Sequence, residues 1–136
     1  RLMIEATIDL QEVLDEKGRH ASPLLSSKIQ NLIIDIDGTI CDDIPNEEPE
    51  RMVTAEEMPN AKRRINEWYD AGNIITFFTS RRDVEHGNIT KKWLEEHGFK
   101  YHSIIFNKPR GGNYLWIDNL DVKVAKFEGD FDDLVV

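Results

Sequence analysis

Two aspartates close an apolar run at Leu32-Ile33-Ile34-Asp35-Ile36-Asp37-Gly38-Thr39, and no other stretch limits the fold and chemistry of the chain as strongly. A β-type run that ends inside a core should end in neutral residues, because an unpaired carboxylate at that edge is costly to desolvate. Two carboxylates at alternating positions therefore call for a cation or a reaction. A calcium loop is the first reading to test, and it fails. Such a loop follows a helix and closes with a glutamate at its twelfth position, whereas here a strand pattern precedes and the twelfth position from Asp35 is Asn46.

Three more apolar runs follow, each releasing polar groups at its C-terminal end. Ile74-Ile75-Thr76-Phe77-Phe78 leads to Thr79 and Ser80; Ser103-Ile104-Ile105-Phe106 leads to Asn107-Lys108-Pro109; Tyr114-Leu115-Trp116-Ile117 leads to Asp118-Asn119. Their β-branched and aromatic content reads as strand. Between them lie two helical patterns. Pro59 to Ala71 carries Ala61, Ile65, Trp68 and Tyr69 at helical spacing before Gly72, and Asn88 to His97 carries Ile89, Trp93 and Leu94 before Gly98. Strand, helix, strand, helix, strand predicts a parallel sheet with right-handed crossovers, and polar groups released at one end of parallel strands gather on one sheet edge, where ligands bind in open α/β folds. Val122 and Val124 predict a short last strand.

The Asp-x-Asp-Gly-Thr run at Asp35–Thr39 resembles the first motif of the haloacid dehalogenase superfamily. Chance alone places that pattern in roughly one chain of this length in a thousand. The resemblance implies a three-layer Rossmann-like α/β core with flanking helices, in which Asp35 is the nucleophile and Asp37 the acid and base. It further implies that Thr79 is the phosphate-binding hydroxyl, that Lys108 neutralises Asp35 and the phosphate together, and that Asp118 is a magnesium ligand beside Asp35 and the Asp37 backbone. Gly38 lets the backbone approach the phosphate, and Thr39, Ser80 and Arg81 are expected to contact substrate, with Arg81 and Arg82 gripping a second anionic group. Asn119 departs from the family's frequent second acidic residue. The stretches Asp42–Met58 and Arg81–Lys108 leave no room for a cap domain, so the resemblance is to the capless branch. The compact Lys108-Pro109 and glycine turn before the fourth run is similar to small phosphatase-like proteins of capsule and surface-polysaccharide synthesis.

The implied reaction is magnesium-dependent hydrolysis of a phosphomonoester through an aspartyl-phosphate, with a sugar phosphate or similar small metabolite as substrate. Phosphoryl transfer to a sugar acceptor and a catalytically silent binding module are the alternatives. The 136-residue chain has a net charge of −9, which repels a polynucleotide backbone. No membrane-length apolar segment is present, and the single cysteine, Cys41, has no internal disulfide partner, which predicts a cytoplasmic setting. Cys41, His86, His97 and His102 are expected to be packing or surface residues. Residues 1–28 are expected to form a helix over about Ile8 to Lys17 and a linker, belonging either to an upstream region or to an oligomerisation element, and residues 29–136 the catalytic domain. A homo-oligomer covering the open site completes the expectations.

Overall fold

A computed structural model describes residues 25–136, so the expected N-terminal helix over Ile8–Lys17 lies outside the described residues. Three of the apolar runs form strands. β1 (Asn31–Ile34), β2 (Ile74–Phe78) and β3 (Ser103–Ile105) make a parallel sheet in the order β1-β2-β3. Asn31 lies opposite Ile74 and Ile34 opposite Phe77, while Thr76 lies opposite Ser103 and Phe78 opposite Ile105. Parallel neighbours need a crossover, and α1 (Ala61–Asp70) and α2 (Asp83–Glu96) supply the two.

β1 ends two residues earlier than the apolar run suggests. Thr39 and Ile40 both donate their N–H groups to the Ile36 carbonyl, at 3.0 and 2.9 Å, so the chain curls into a turn as soon as it leaves the sheet. α2 begins earlier than its apolar spacing predicts. Asp83 and Glu85 occupy its first turn, where carboxylates favour the positive end of the helix dipole.

Ile36, Ile40, Ile65, Ile75, Phe77 and Leu94 are fully buried and centre the core. Phe77 packs against Phe99 and Tyr101 at ring separations of 6.2 and 5.4 Å, and Trp93 against Phe99 at 5.5 Å. The Trp93 indole N–H donates to the Ala55 carbonyl at 3.1 Å, which satisfies its one polar atom. Tryptophans Trp68 and Trp93 thus serve packing. The C-terminal end returns to this body: Phe131 is buried, donates its N–H to the Pro59 carbonyl at 3.1 Å and contacts Trp68 and Phe127.

The fourth and fifth expected strands do not form. Tyr114–Ile117 and Val122–Val124 have no strand pairing among the described residues, and Leu115, Ile117 and Val124 are each more than 80% exposed. The apolar pattern is present, but no strand of the described chain pairs with it. Residues 110–126 instead form a projecting arm between two anchors, Lys108 on one side and Phe127 with Phe131 on the other.

Candidate functional site

The turn after β1 delivers Asp35 to the sheet's C-terminal edge, and two donors meet it there. Thr39 Oγ1 donates to one carboxylate oxygen at 2.8 Å and Lys108 Nζ to the other at 3.3 Å. Gly38, at φ +80°, makes the turn possible, since its N–H must fold back onto the Cys41 carbonyl at 2.9 Å. Lys108 is placed by the backbone rather than by its long side chain alone. Its N–H donates to the Thr79 carbonyl, and Asn107, with φ +64°, donates to the Arg81 carbonyl, both at 2.9 Å. The ammonium also lies over the rings of Phe78 and Tyr114, at 5.7 and 4.9 Å, where the ring faces favour a cation.

Asp37 faces a different partner. Arg81 Nε and Nη2 donate to its two oxygens at 2.9 and 2.7 Å, in the forked geometry that guanidinium and carboxylate share. The third contact of the guanidinium is Thr90 on α2, at 2.9 Å, and Thr90 in turn donates to the His86 carbonyl. Arg81, expected to touch substrate, is 2% exposed in its side chain and turned inward. The reason is electrostatic: Asp37 is itself only 13% exposed, and a carboxylate that far from water requires a countercharge. Both Asp37 oxygens are therefore engaged, and use of Asp37 as a proton donor requires one Arg81 bond to open. Thr79 is buried and its hydroxyl accepts the Arg81 N–H at 3.1 Å, so it shapes the turn that aims Arg81 inward.

The loop from Asp42 to Glu57 is tied down at several points. Asp42 donates to the Glu56 carbonyl and its carboxylate accepts the Glu56 N–H, so the loop leaves and returns through one narrow neck. Asn46 reaches the Ser80 carbonyl at 3.3 Å. His86 completes the clamp. Its Nδ1 accepts the Arg82 N–H at 3.1 Å, which leaves Nε2 to carry the proton it gives the Asn46 carbonyl at 3.2 Å. His97 stacks on Trp93 and meets Glu57, and His102 stacks on Tyr69 and accepts the Ile75 N–H. All three histidines act in packing. Cys41 is buried, and burial first and Asp37 second push its thiol up to about 12. Such a thiol is inert as a nucleophile.

Asp118 is placed apart from these groups. It sits in the exposed arm, where its carboxylate accepts the Leu120 N–H at 3.0 Å and the Trp116 indole N–H at 3.2 Å. Those two donors, Leu120 first, hold its carboxyl below the usual carboxylate range. A magnesium ion needs several oxygen ligands around one point. Among the described residues no three acidic, histidine or cysteine side chains are grouped to hold a metal. Asp35 is taken by Thr39 and Lys108, Asp37 by Arg81, and Asp118 by its own neighbours, so the arrangement within one chain does not fit the ion.

Sequence reading gathers Asp35, Thr79, Lys108 and Asp118 at one edge; the structure sets Lys108 on Asp35, turns the Thr79 hydroxyl to the Arg81 N–H and leaves Asp118 in the arm, and the inner lattice of Arg81, Thr90 and His86 was missed. Its signal was present only as an arginine next to a strand end. Beside Lys108 opens a cleft of about 560 Å³, lined by Ser80, Arg82, Glu85, Asn107, Lys108 and Arg110. Three cations, Arg82, Lys108 and Arg110, line this open cleft, with Glu85 pairing Arg82 at 3.7 Å.

No curated protein matches the chain. A crystal structure of a structural-genomics target from Vibrio cholerae is similar in fold, with a TM-score of 0.52 and 22% identity, covering 69% of this chain and 83% of that one. The family model described as the LNS2 domain of PITM 1-3 matches residues 32–126, from the first apolar run to the end of the arm. The chain therefore belongs to the LNS2 domain family, within the haloacid dehalogenase-like phosphatase superfamily.

Proposed function

We propose that the chain is a phosphomonoester hydrolase in which Asp35 attacks phosphorus. The observation that carries this reading is the pair of donors on Asp35, Thr39 at 2.8 Å and Lys108 at 3.3 Å, beside the cationic cleft. An anionic nucleophile and an anionic phosphate repel one another, and a fixed ammonium at the edge of both offsets that repulsion. In the first half-reaction an Asp35 oxygen forms a bond to phosphorus, the ester P–O bond breaks, and the alcohol leaves with a proton. Asp37 is the acid nearest in sequence for that proton, with release of one Arg81 bond accompanying the transfer. In the second half a water attacks the aspartyl-phosphate, phosphate departs and the carboxylate is restored.

A small phosphorylated metabolite, with a sugar phosphate as the leading class, fits a cleft of this size and sign. Arg82 and Arg110 supply the charge toward a second anionic group, the role expected from sequence of Arg81 and Arg82. The net charge of −9 disfavours a polynucleotide. No helix among the described residues is long and apolar enough to cross a membrane, and a cytoplasmic setting remains part of the proposal.

The test is Asp35→Asn, measured as phosphate released from an aryl phosphate and from a panel of sugar phosphates with magnesium in the buffer. Release is expected to fall by at least about 1,000-fold, as for removal of a covalent nucleophile. Turnover at the parent rate by a folded Asp35→Asn protein overturns the assignment. Product analysis with added sugar separates hydrolysis from transfer.

A further inference from the structure

A single buried residue holds both backbone polar groups of a cleft arginine. Arg82 is the residue before α2, with extended backbone at φ −94° and ψ 132°, and its own side chain does not cap the helix. Its N–H donates to His86 Nδ1 at 3.1 Å, and its carbonyl accepts the His86 N–H at 2.8 Å. A side chain in the first turn that reaches back to the amide before a helix is one half of a capping box, here supplied by a histidine. The ring has little freedom to do otherwise. His86 is 2% exposed, Nδ1 must accept from an amide donor, and Nε2 therefore carries the proton toward the Asn46 carbonyl at 3.2 Å. Asn46 in turn reaches the carbonyl of Ser80, which lines the cleft with Arg82, so the loop braces the same wall.

The Arg82 guanidinium is left available above this fixed backbone. It is 66% exposed, and Glu85 stands beside it at 3.7 Å. A long side chain on a held backbone loses less freedom on meeting a ligand than one on a loose loop, so the backbone tether sharpens what the guanidinium selects. We infer that His86 is a positioning residue for substrate selection: it fixes Arg82 so that the guanidinium meets a second anionic group on a sugar phosphate held at Lys108. A carboxylate and a phosphate share the paired oxygens that the guanidinium fork matches. The inference rests on the hydrolase reading above and adds to it a preference for doubly anionic sugars. His86 is buried and acts through the Arg82 backbone, without touching substrate.

Two amides dissect the ring. Asparagine places an acceptor oxygen near the position of Nδ1 and falls short of Asn46, whereas glutamine places a donor near Nε2 and gives up the Arg82 N–H. His86→Asn and His86→Gln thus each lose one buried hydrogen bond, and the urea midpoint should fall by similar amounts in both. Selection should not. With glucuronate-1-phosphate and glucose-1-phosphate as probes, the parent is expected to favour the first through KM. His86→Gln should raise KM for glucuronate-1-phosphate about tenfold with kcat retained and keep glucose-1-phosphate within about twofold, while His86→Asn preserves the parent preference. Arg82→Gln should erase the preference, and adding His86→Gln to it should change the preference no further. A parent without preference, equal KM changes in the two His86 variants, or a further loss when His86→Gln joins Arg82→Gln overturns the inference and leaves the hydrolase reading in place. Nitrogen NMR of the parent needs no variant: an imidazole protonated at Nε2 alone supports the tether, and one protonated at Nδ1 overturns it. Calorimetric binding of glucuronate-1-phosphate and glucose-1,6-bisphosphate separates the two readings the other way. If the folded parent releases no phosphate, the hydrolase reading fails, yet weaker binding in His86→Gln alone still supports the role of His86, and the ligand affected tells carboxylate from phosphate. Binding unchanged in His86→Gln overturns that role.

Discussion

The inner half of the site and the projecting arm are built from similar residues and behave in opposite ways. Around Asp37 each polar group is answered: Arg81 takes both oxygens, Thr90 takes the guanidinium, and His86 ties the helix to the loop at Asn46. Along residues 114–124 large apolar side chains face water, and Asp118 closes on its own neighbours. The comparison teaches that an apolar run becomes a buried strand only where a neighbour pairs with it; without one, Tyr114–Ile117 stays unpaired and exposed.

The largest effect that sharpens this contrast belongs to Arg81. Arg81→Met leaves Asp37 with little water and no countercharge, and urea unfolding should lose about 3–5 kcal/mol. An unchanged midpoint breaks the claim that the lattice is structural. Core truncation comes next. Phe77→Ala should cost about 3–4 kcal/mol in the same assay, while Ile117→Ala, measured in protein dilute enough to be monomeric, should stay within about 0.5 kcal/mol. Equal losses at the two positions would erase the distinction between body and arm.

A smaller effect appears at alkaline pH. The Cys41 thiol ionises from its ordinary 9.0 when unfolded and only at about 12 when folded. Its contribution is therefore complete below pH 9 and declines as pH rises toward 12, at up to about 1.4 kcal/mol per pH unit. Cys41→Ala should lack that slope, so the stability difference between parent and variant should change with pH between 9 and 12, and native protein at pH 8 should resist thiol reagents until it unfolds. The smallest effect lies at the exposed C-terminal turn. Asn60 and the Asp132 N–H hold the Asp130 carboxyl low, so its stabilisation is present above the usual carboxylate pKa and fades as pH falls through the lowered one. Asp130→Asn should flatten the acid limb slightly and leave the neutral midpoint almost unmoved.

Much of the body is legible in the sequence. Ile74–Phe78 forms the strand its β-branched and aromatic residues predict, and the helix written by Ala61, Ile65, Trp68 and Tyr69 is present. Asp35 and Lys108 meet although 73 residues separate them, because both lie past the C-terminal ends of strands in one parallel sheet, β1 and β3 on either side of β2. Periodicity is silent about which charged side chain turns inward, and so Arg81 read as a surface group although Asp37, 44 residues away, had drawn it into the core. It is equally silent about where an apolar strand finds its neighbour, which is why Tyr114–Ile117 reads as strand and stands in solvent. The expected start of α2 at Asn88 is late, because the acidic first turn that begins it at Asp83 lies outside the apolar pattern.

Gly111, Gly112 and Asn113 turn the chain three times in the left-handed sense. A side chain at either glycine meets no neighbour within 4 Å, so the obstacle to substitution is torsional alone. Each alanine placed there should shift the direction of everything beyond it at a cost of about 1 kcal/mol, without disturbing a packed atom. Those two positions form a steering joint, through which the hydrophobic finger can be re-aimed by sequence changes that leave the palm untouched.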